Sequence, residues 1–248
     1  AVDRHIRKVL VGSDITGLVN VDPPMVLYSG RLFLDLSAQL ILDESHAVAP
    51  RMRRVMILRH PFAVASSKAR TFSWPSDPLS FLSADNPRHE EAEPFGEIIE
   101  KVTSSSDPLL IQVLLWCLVH RFVFSARSID TCSLVFYERL VVNPENELPR
   151  LFADLDMDSR YERNRKKVEQ KLGDLSHVTF RNNMIAASKK EKSVWHDEWE
   201  SATIDAGLEI LEQFGFSSMY TDQFSPRIKI EQVLPLFARA PDKKGAGS

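Results

Sequence analysis

The segment from Arg53 to Arg70, RRVMILRHPFAVASSKAR, constrains the fold most, because it combines a strand pattern with an immediate helix start. Residues 53–60 carry a continuous apolar run, which is typical of a strand whose sheet is covered by helices on both faces. Pro61 suits the first turn of a helix, where its missing N–H costs little. The segment therefore predicts a buried strand over 53–60 and a helix from Pro61.

The rest of the chain repeats this alternation of strands and helices. Short apolar runs at 7–12, 25–30 and 132–138 predict further strands. Helical spacing or helix start signals mark the segments 31–45, 107–127, 143–157, 159–173 and 196–215. The second of these opens with Ser106, Asp107 and Pro108, which predict a cap and a first helical turn. Such alternation predicts a doubly wound parallel sheet.

Composition excludes some classes of protein. The chain has 248 residues, of which 44% are hydrophobic and 26% charged, and its net charge is −3. These values are ordinary for a globular enzyme with a continuous core. The negative net charge argues against a general nucleic-acid binder. An anion site must therefore be local.

Membrane and secretion signals are also missing from the sequence pattern. The longest apolar stretch, LLIQVLLWCLVHRFVF, is interrupted by Gln112, His120 and Arg121 and predicts a buried helix rather than a membrane span. The first residues lack the order of a signal peptide, and we expect a cytoplasmic protein. Cys117 and Cys132 lie in apolar runs without metal-ligand spacing, which predicts two buried, reduced thiols.

The junction after the first clear strand offers anion-binding chemistry. Arg59 follows the strand, at the sheet edge where open α/β sheets bind ligands, and a guanidinium there can hold a phosphate with two hydrogen bonds. The helix that begins at Pro61 directs N–H groups to the same edge. Ser67, about two turns along, adds a hydroxyl. On composition alone, a surface arginine and a packed serine remain an alternative.

RHPFAVASS resembles the 3′-phosphate-binding segment of sulfotransferases that use 3′-phosphoadenosine 5′-phosphosulfate (PAPS). The shared features are Arg-x-Pro, a helix of small and β-branched residues, and a serine eight residues after the arginine. The continuation SSKARTFSW is similar to the bacterial-type members. The resemblance implies that Arg59 and Ser67 hold the 3′-phosphate of PAPS or of the product 3′,5′-ADP.

Three later segments resemble the family in the expected order. LVFYERLVVNPENELPRLFADLDM is similar to the family strand that ends in Tyr-Glu, which implies that Tyr137 contacts the adenine. SHVTFRNNMIAAS resembles the segment that puts Thr179 and Phe180 near the base. SKKEKSVWHDEW is similar to the late basic loop, which implies that Lys189 and Lys190 cover the 3′-phosphate. A solvated charge run is the alternative for these two lysines.

The resemblance also implies an architecture and a reaction. We expect an α/β fold with three layers, in which helices flank a mostly parallel sheet like that of P-loop NTPases. Residues 1–224 would form the sulfotransferase-like domain, with a partly disordered C-terminal extension over 225–248. The expected acceptor is a small molecule or carbohydrate, with no metal, no nucleic-acid partner and no membrane span.

Two family features are absent from these 248 residues. The loop that holds the 5′-phosphosulfate is missing; VLVGSDITGLV keeps the glycine spacing but has Ile15 in place of the basic residue. The loop has decayed, lies upstream of Ala1, or was lost together with the chemistry. The catalytic lysine is missing too, because Tyr28, Ser29 and Gly30 stand near the end of the corresponding strand.

Two functions from different classes therefore stay open. The first is a PAPS-dependent sulfotransferase whose catalytic residues the sequence does not name. The second is a non-catalytic relative that binds an adenine nucleotide or a protein partner on the same scaffold. A P-loop kinase relative is a weaker third reading, since GxxxxGK[ST] is absent from the sequence.

Overall fold

The computed structural model describes residues 42–70, 77–174, 195 and 198–237. Within these ranges the chain is mainly helical, with one parallel pair of strands, and so belongs to the α/β class in a general sense. The elements in chain order are α1 (Leu42–Val48), β1 (Arg54–Leu58), α2 (Pro61–Arg70), α3 (His89–Ala92), α4 (Gly96–Ser105), α5 (Pro108–Ser125), β2 (Cys132–Phe136), α6 (Tyr137–Val142), α7 (Pro144–Asp154), α8 (Asp158–Asp174), α9 (Ser201–Gln213) and α10 (Val233–Phe237). Short 3₁₀ turns at 78–82, 93–95, 129–131 and 230–232 connect them.

The two strands pair in parallel over their whole length. Their register runs from Arg54 opposite Cys132 to Leu58 opposite Phe136. The strands predicted over 53–60 and 132–138 are thus confirmed, as is the helix that begins at Pro61. The strands predicted over 7–12 and 25–30 lie outside the described residues. The second strand ends at Phe136, two residues before the end of the run over 132–138, because Tyr137 already begins α6. A strand–helix junction therefore follows each strand on the same edge of the pair.

The faces of β1 differ from the expectation of a strand covered on both sides. Leu58 is fully buried, whereas Val55 and Ile57 are 40% and 52% exposed. Their partners in the register, Ser133 and Val135, lie on β2, and Val135 is fully buried. On this face of the strand pair, Val135 of β2 is buried, whereas the two β1 side chains are largely exposed to solvent.

Helix α5 is the centre of the core. The Asp107 carboxylate accepts hydrogen bonds from the N–H groups of Leu109 and Leu110, as predicted for a cap before Pro108. The helix packs against α2 and α9. By length and composition α5 alone among the described helices is apolar enough to cross a membrane, but 61% of it is buried inside the protein. Cys117 on this helix and Cys132 at the start of β2 are both free thiols, and Cys132 is only partly buried.

The segment after α9 folds back onto the core. Gly215 ends the helix with φ of 79°, a left-handed conformation in which glycine avoids strain. Phe237, in the expected C-terminal extension, stacks on Phe124 with 4.7 Å between ring centroids. Residues 225–237 of that extension thus pack on the domain, and 238–248 lie outside the described residues.

Candidate functional site

The candidate site lies at the edge where β1 and β2 end side by side. Leu58 and Phe136 form the last register pair, so the residues that follow them are neighbours across the junction. The guanidinium carbon of Arg59 lies 5.0 Å from the centroid of the Tyr137 ring. Two residues predicted from separate segments of the sequence are thus brought into a cation–π contact.

Glu138 links the strand–helix junctions that follow β1 and β2 by a hydrogen bond. Its Oε1 accepts a 2.7 Å hydrogen bond from the backbone N–H of His60, 78 residues away in the chain. The side chain is only 1% exposed. A carboxylate in such surroundings loses its hydration, so Glu138 needs protein donors or a proton to remain there.

Burial raises the pKa of Glu138 to about 7. The backbone N–H groups of His60 and of Glu138 itself oppose that rise, as does the positive charge of Arg59. Within the part of the chain that the structure describes, Oε2 of Glu138 and the Tyr220 hydroxyl oxygen are both buried without a hydrogen-bond partner. The site therefore contains an acid that titrates near neutrality beside a permanent positive charge.

The ring of His60 is fully buried and has a structural role. Its Nε2 lies 2.8 Å from the carbonyl oxygen of Thr221, and its Nδ1 lies 3.1 Å from the backbone nitrogen of Phe62. These contacts assign a neutral ring in which Nε2–H donates to Thr221 and Nδ1 accepts from Phe62. Trp195 stacks on the ring at 4.2 Å. His60 thus caps α2 and faces the core rather than a substrate.

The two serines of α2 differ in their surroundings. Ser66 is buried, and its Oγ accepts a 2.9 Å hydrogen bond from the indole N–H of Trp199. Ser67, the residue predicted to bind phosphate, is only partly buried on the same helix. It lies on α2, the helix that begins just after Arg59, and its contact with a phosphate stays a prediction. Ser66 therefore has a structural role, as the hydrogen-bond acceptor of the Trp199 indole.

Thr179, Phe180, Lys189 and Lys190 lie outside the described residues. Their roles stay predictions. Among the described residues no cluster of three or more histidine, cysteine or acidic side chains has a metal-binding arrangement.

A cavity of about 1060 Å³ lies at the opposite edge of the strand pair, around Arg54 and Cys132. Two of the four arginines that line it are held by the protein itself. Arg54 donates to the backbone oxygens of Ser45 and Ala49, and Arg150 pairs with Asp154. This cavity does not include Arg59 or Tyr137. We therefore place the candidate site at the carboxyl ends of the strands.

Sequence reasoning missed the roles of Glu138 and of the His60 ring. The Tyr-Glu pair was recognised as a motif, but only its tyrosine was assigned a role. A glutamate is rarely fully buried, so its type alone does not signal burial. Its place directly after a buried strand and next to Tyr137 was the available signal.

No family model, curated protein or solved structure matches this chain. Two features of the junction bear on the function: the contact between Arg59 and Tyr137, and the buried carboxylate of Glu138.

Proposed function

We propose that the chain binds a phosphorylated adenine nucleotide at the junction of Arg59 and Tyr137 and acts as a PAPS-dependent sulfotransferase. The acceptor would be a hydroxyl or amine of a small molecule or carbohydrate. The observation that carries the proposal is the 5.0 Å contact between Arg59 and Tyr137. Each residue belongs to a segment with its own resemblance to the family, and the parallel pairing of β1 with β2 brings the two segments together.

The chemistry of the junction suits a phosphate. Arg59 supplies a charged planar donor, which binds phosphate oxygens in pairs. Helix α2 begins two residues later and directs the positive end of its dipole to the same edge. Ser67 would add a hydroxyl donor, and Tyr137 an aromatic face for the adenine. Lys189 and Lys190 would contribute charge over the phosphate, with Thr179 and Phe180 near the base.

In the proposed reaction an acceptor oxygen or nitrogen attacks the sulfur of PAPS in line. The bond from sulfur to the 5′-phosphate oxygen breaks, 3′,5′-ADP leaves, and the acceptor loses its proton. Such transfer depends mainly on positioning and on neutralising charge. Arg59 and Ser67 would hold the 3′-phosphate, away from the transferred group, and thus act through binding.

We extend the proposal to the architecture. The parallel pair would be part of a wider sheet with helices on both faces, as in P-loop NTPases, in a cytoplasmic enzyme. Val55 and Ile57 support this, since they leave an apolar face on β1 that a further layer would cover. Residues 1–224 would then form the domain and 225–248 its extension.

Arg59→Ala tests the binding proposal directly. We expect calorimetry with 3′,5′-ADP to show an affinity about ten- to a hundredfold weaker than the parent, because a charge-assisted contact is lost. Arg51→Ala is the matched control: this exposed arginine lies at the opposite edge of the strand pair and should leave the affinity unchanged. Equal affinity of Arg59→Ala and the parent would contradict the assignment.

A second candidate is a nucleotide-binding relative without catalysis. His60, the histidine of the junction, is buried and bonded at both ring nitrogens, so it is not available as a base. The sequence also lacks the basic 5′-phosphosulfate loop. Transfer of radiolabelled sulfuryl from PAPS to any acceptor excludes this candidate, whereas binding of 3′,5′-ADP without transfer supports it.

A further inference from the structure

Glu138 is an unusual neighbour for an anion site. It is 1% exposed and lies directly after Tyr137, and its carboxylate accepts from the backbone of the residue that follows Arg59. An anion bound to Arg59 would therefore stand close to a second, buried negative charge. Unless that charge is removed, it weakens anion binding.

We propose that Glu138 couples proton uptake to anion binding: its carboxylate takes up one proton when a phosphate-bearing ligand occupies Arg59. The ligand negates the arginine charge that favours the ionised carboxylate. The neutral acid still accepts from the His60 N–H through Oε1, so the junction keeps its geometry. With 3′,5′-ADP as the ligand, the inference rests on the proposed function.

The direction of the pH effect follows from linkage. If anion binding favours protonated Glu138, protonation of Glu138 favours anion binding by the same free energy. The pKa of about 7 without ligand places the transition near neutrality. Affinity for the anion should thus fall as the pH rises through that range.

The other ionisable groups around Glu138 do not provide this effect. Burial raises the pKa of Tyr220 well above its ordinary value, so its hydroxyl stays protonated. The Arg139 guanidinium donates to the Ile228 carbonyl oxygen at 2.6 Å, and guanidinium groups are not deprotonated in proteins. The His60 ring is bonded at both nitrogens in the parent and remains in a Glu138 variant, which separates its contribution.

The test compares the parent with Glu138→Gln, whose amide oxygen can still accept from the His60 N–H. Calorimetric affinities for 3′,5′-ADP are measured from about pH 6 to about pH 8.5. The ratio of parent affinity to variant affinity should fall about tenfold over this range. Titration of the ligand phosphates affects both proteins equally and cancels in the ratio. A constant ratio would overturn the inference.

A second measurement needs no variant. The parent is titrated calorimetrically with inorganic sulfate at about pH 8, in two buffers of different ionisation enthalpy. The difference in binding enthalpy between the buffers gives the number of protons taken up, because sulfate itself does not titrate at this pH. We expect uptake of up to one proton for each sulfate bound. No uptake, or no binding of either anion, would overturn the inference. If sulfate binds with proton uptake while 3′,5′-ADP does not bind, the proposed function fails and the coupling stands.

Discussion

The backbone N–H of His60 donates a 2.7 Å hydrogen bond to Oε1 of Glu138, and this bond joins the junctions that follow β1 and β2. The bond fixes the start of α2 relative to α6, and Arg59 and Tyr137 precede its two partners directly in the chain. A buried acid with this contact can contribute to stability in two ways, as an acceptor and as a group that titrates. Different substitutions separate the two.

Replacing Glu138 should change how stability depends on pH. The pKa is raised from 4.5 to about 7, so between these values the folded protein binds a proton that the unfolded chain releases. The free energy of unfolding should therefore fall as the pH rises through this range, by about 3 kcal/mol in all, and level off above it. Urea unfolding of the parent and Glu138→Gln at several pH values measures this as a difference between the two curves.

Glu138→Ala provides the control for the acceptor role. It leaves the buried N–H of His60 unsatisfied, which costs about 1–3 kcal/mol at any pH. Glu138→Gln should avoid that loss. If the difference between the parent and the glutamine variant did not change with pH, a titrating Glu138 would be contradicted.

The adjacent serines of α2 should separate stability from binding. Ser66→Ala removes the acceptor of the buried Trp199 N–H and should cost about 1–3 kcal/mol of unfolding free energy. Ser67→Ala should cost less and should weaken 3′,5′-ADP binding. Urea unfolding and calorimetry on both variants test this. The reverse pattern, with binding lost only in Ser66→Ala, would show that the wrong serine was assigned.

Gly207 permits the close packing of α9 against Phe62. A Cβ atom at position 207 would lie 2.7 Å from Cε1 of Phe62, whose ring is fully buried. Gly207→Ala should therefore destabilise the protein by about 1–3 kcal/mol, because the ring must move within a packed core.

Gly96→Ala is the matched control, since its Cβ would meet only Cδ2 of Leu82 at 4.0 Å. Alanine is the better helix former, so this change should be neutral or stabilising by up to about 1 kcal/mol. Thermal or urea unfolding of the two variants gives the comparison. Equal stability of both would contradict the contact at Phe62.

Local signals predicted the elements around the site well. The apolar run over 53–60, Pro61 and the Asp107–Pro108 cap each act within a few residues, and the structure confirms β1, α2 and α5. The motifs implied that Arg59 and Tyr137 bind the same cofactor, but they did not predict that the two side chains contact each other. The open face at Val55 and Ile57 was not expected, because an apolar run alone does not tell what covers each side.

The parts of the site that sequence missed depend on distant contacts. The burial of Glu138 is tolerated because the backbone N–H of His60, 78 residues earlier in the chain, donates a hydrogen bond to its carboxylate. The His60 ring is enclosed by Trp195 and Tyr220, from late in the chain. Neither environment leaves a periodic pattern in the residues nearby. Charged and polar residues whose partners are remote are those that local reasoning assigns to the surface.

Tyr137 gives the test that links the strand junction to the nucleotide. Its ring lies against the Arg59 guanidinium, and a phenylalanine would keep this aromatic face while removing only the hydroxyl. We expect Tyr137→Phe to bind 3′,5′-ADP within about threefold of the parent, and Tyr137→Leu to bind about tenfold more weakly, since base stacking on an aromatic ring is worth about 1–3 kcal/mol.

Inorganic sulfate separates the contribution of the base from that of the phosphate. The leucine variant should lose much less affinity for sulfate than for 3′,5′-ADP, because sulfate contacts Arg59 but offers no ring to stack. Calorimetry with both ligands on both variants gives the comparison. If Tyr137→Leu weakened both ligands by the same factor, Tyr137 would act only by positioning Arg59, and the adenine would have to bind elsewhere.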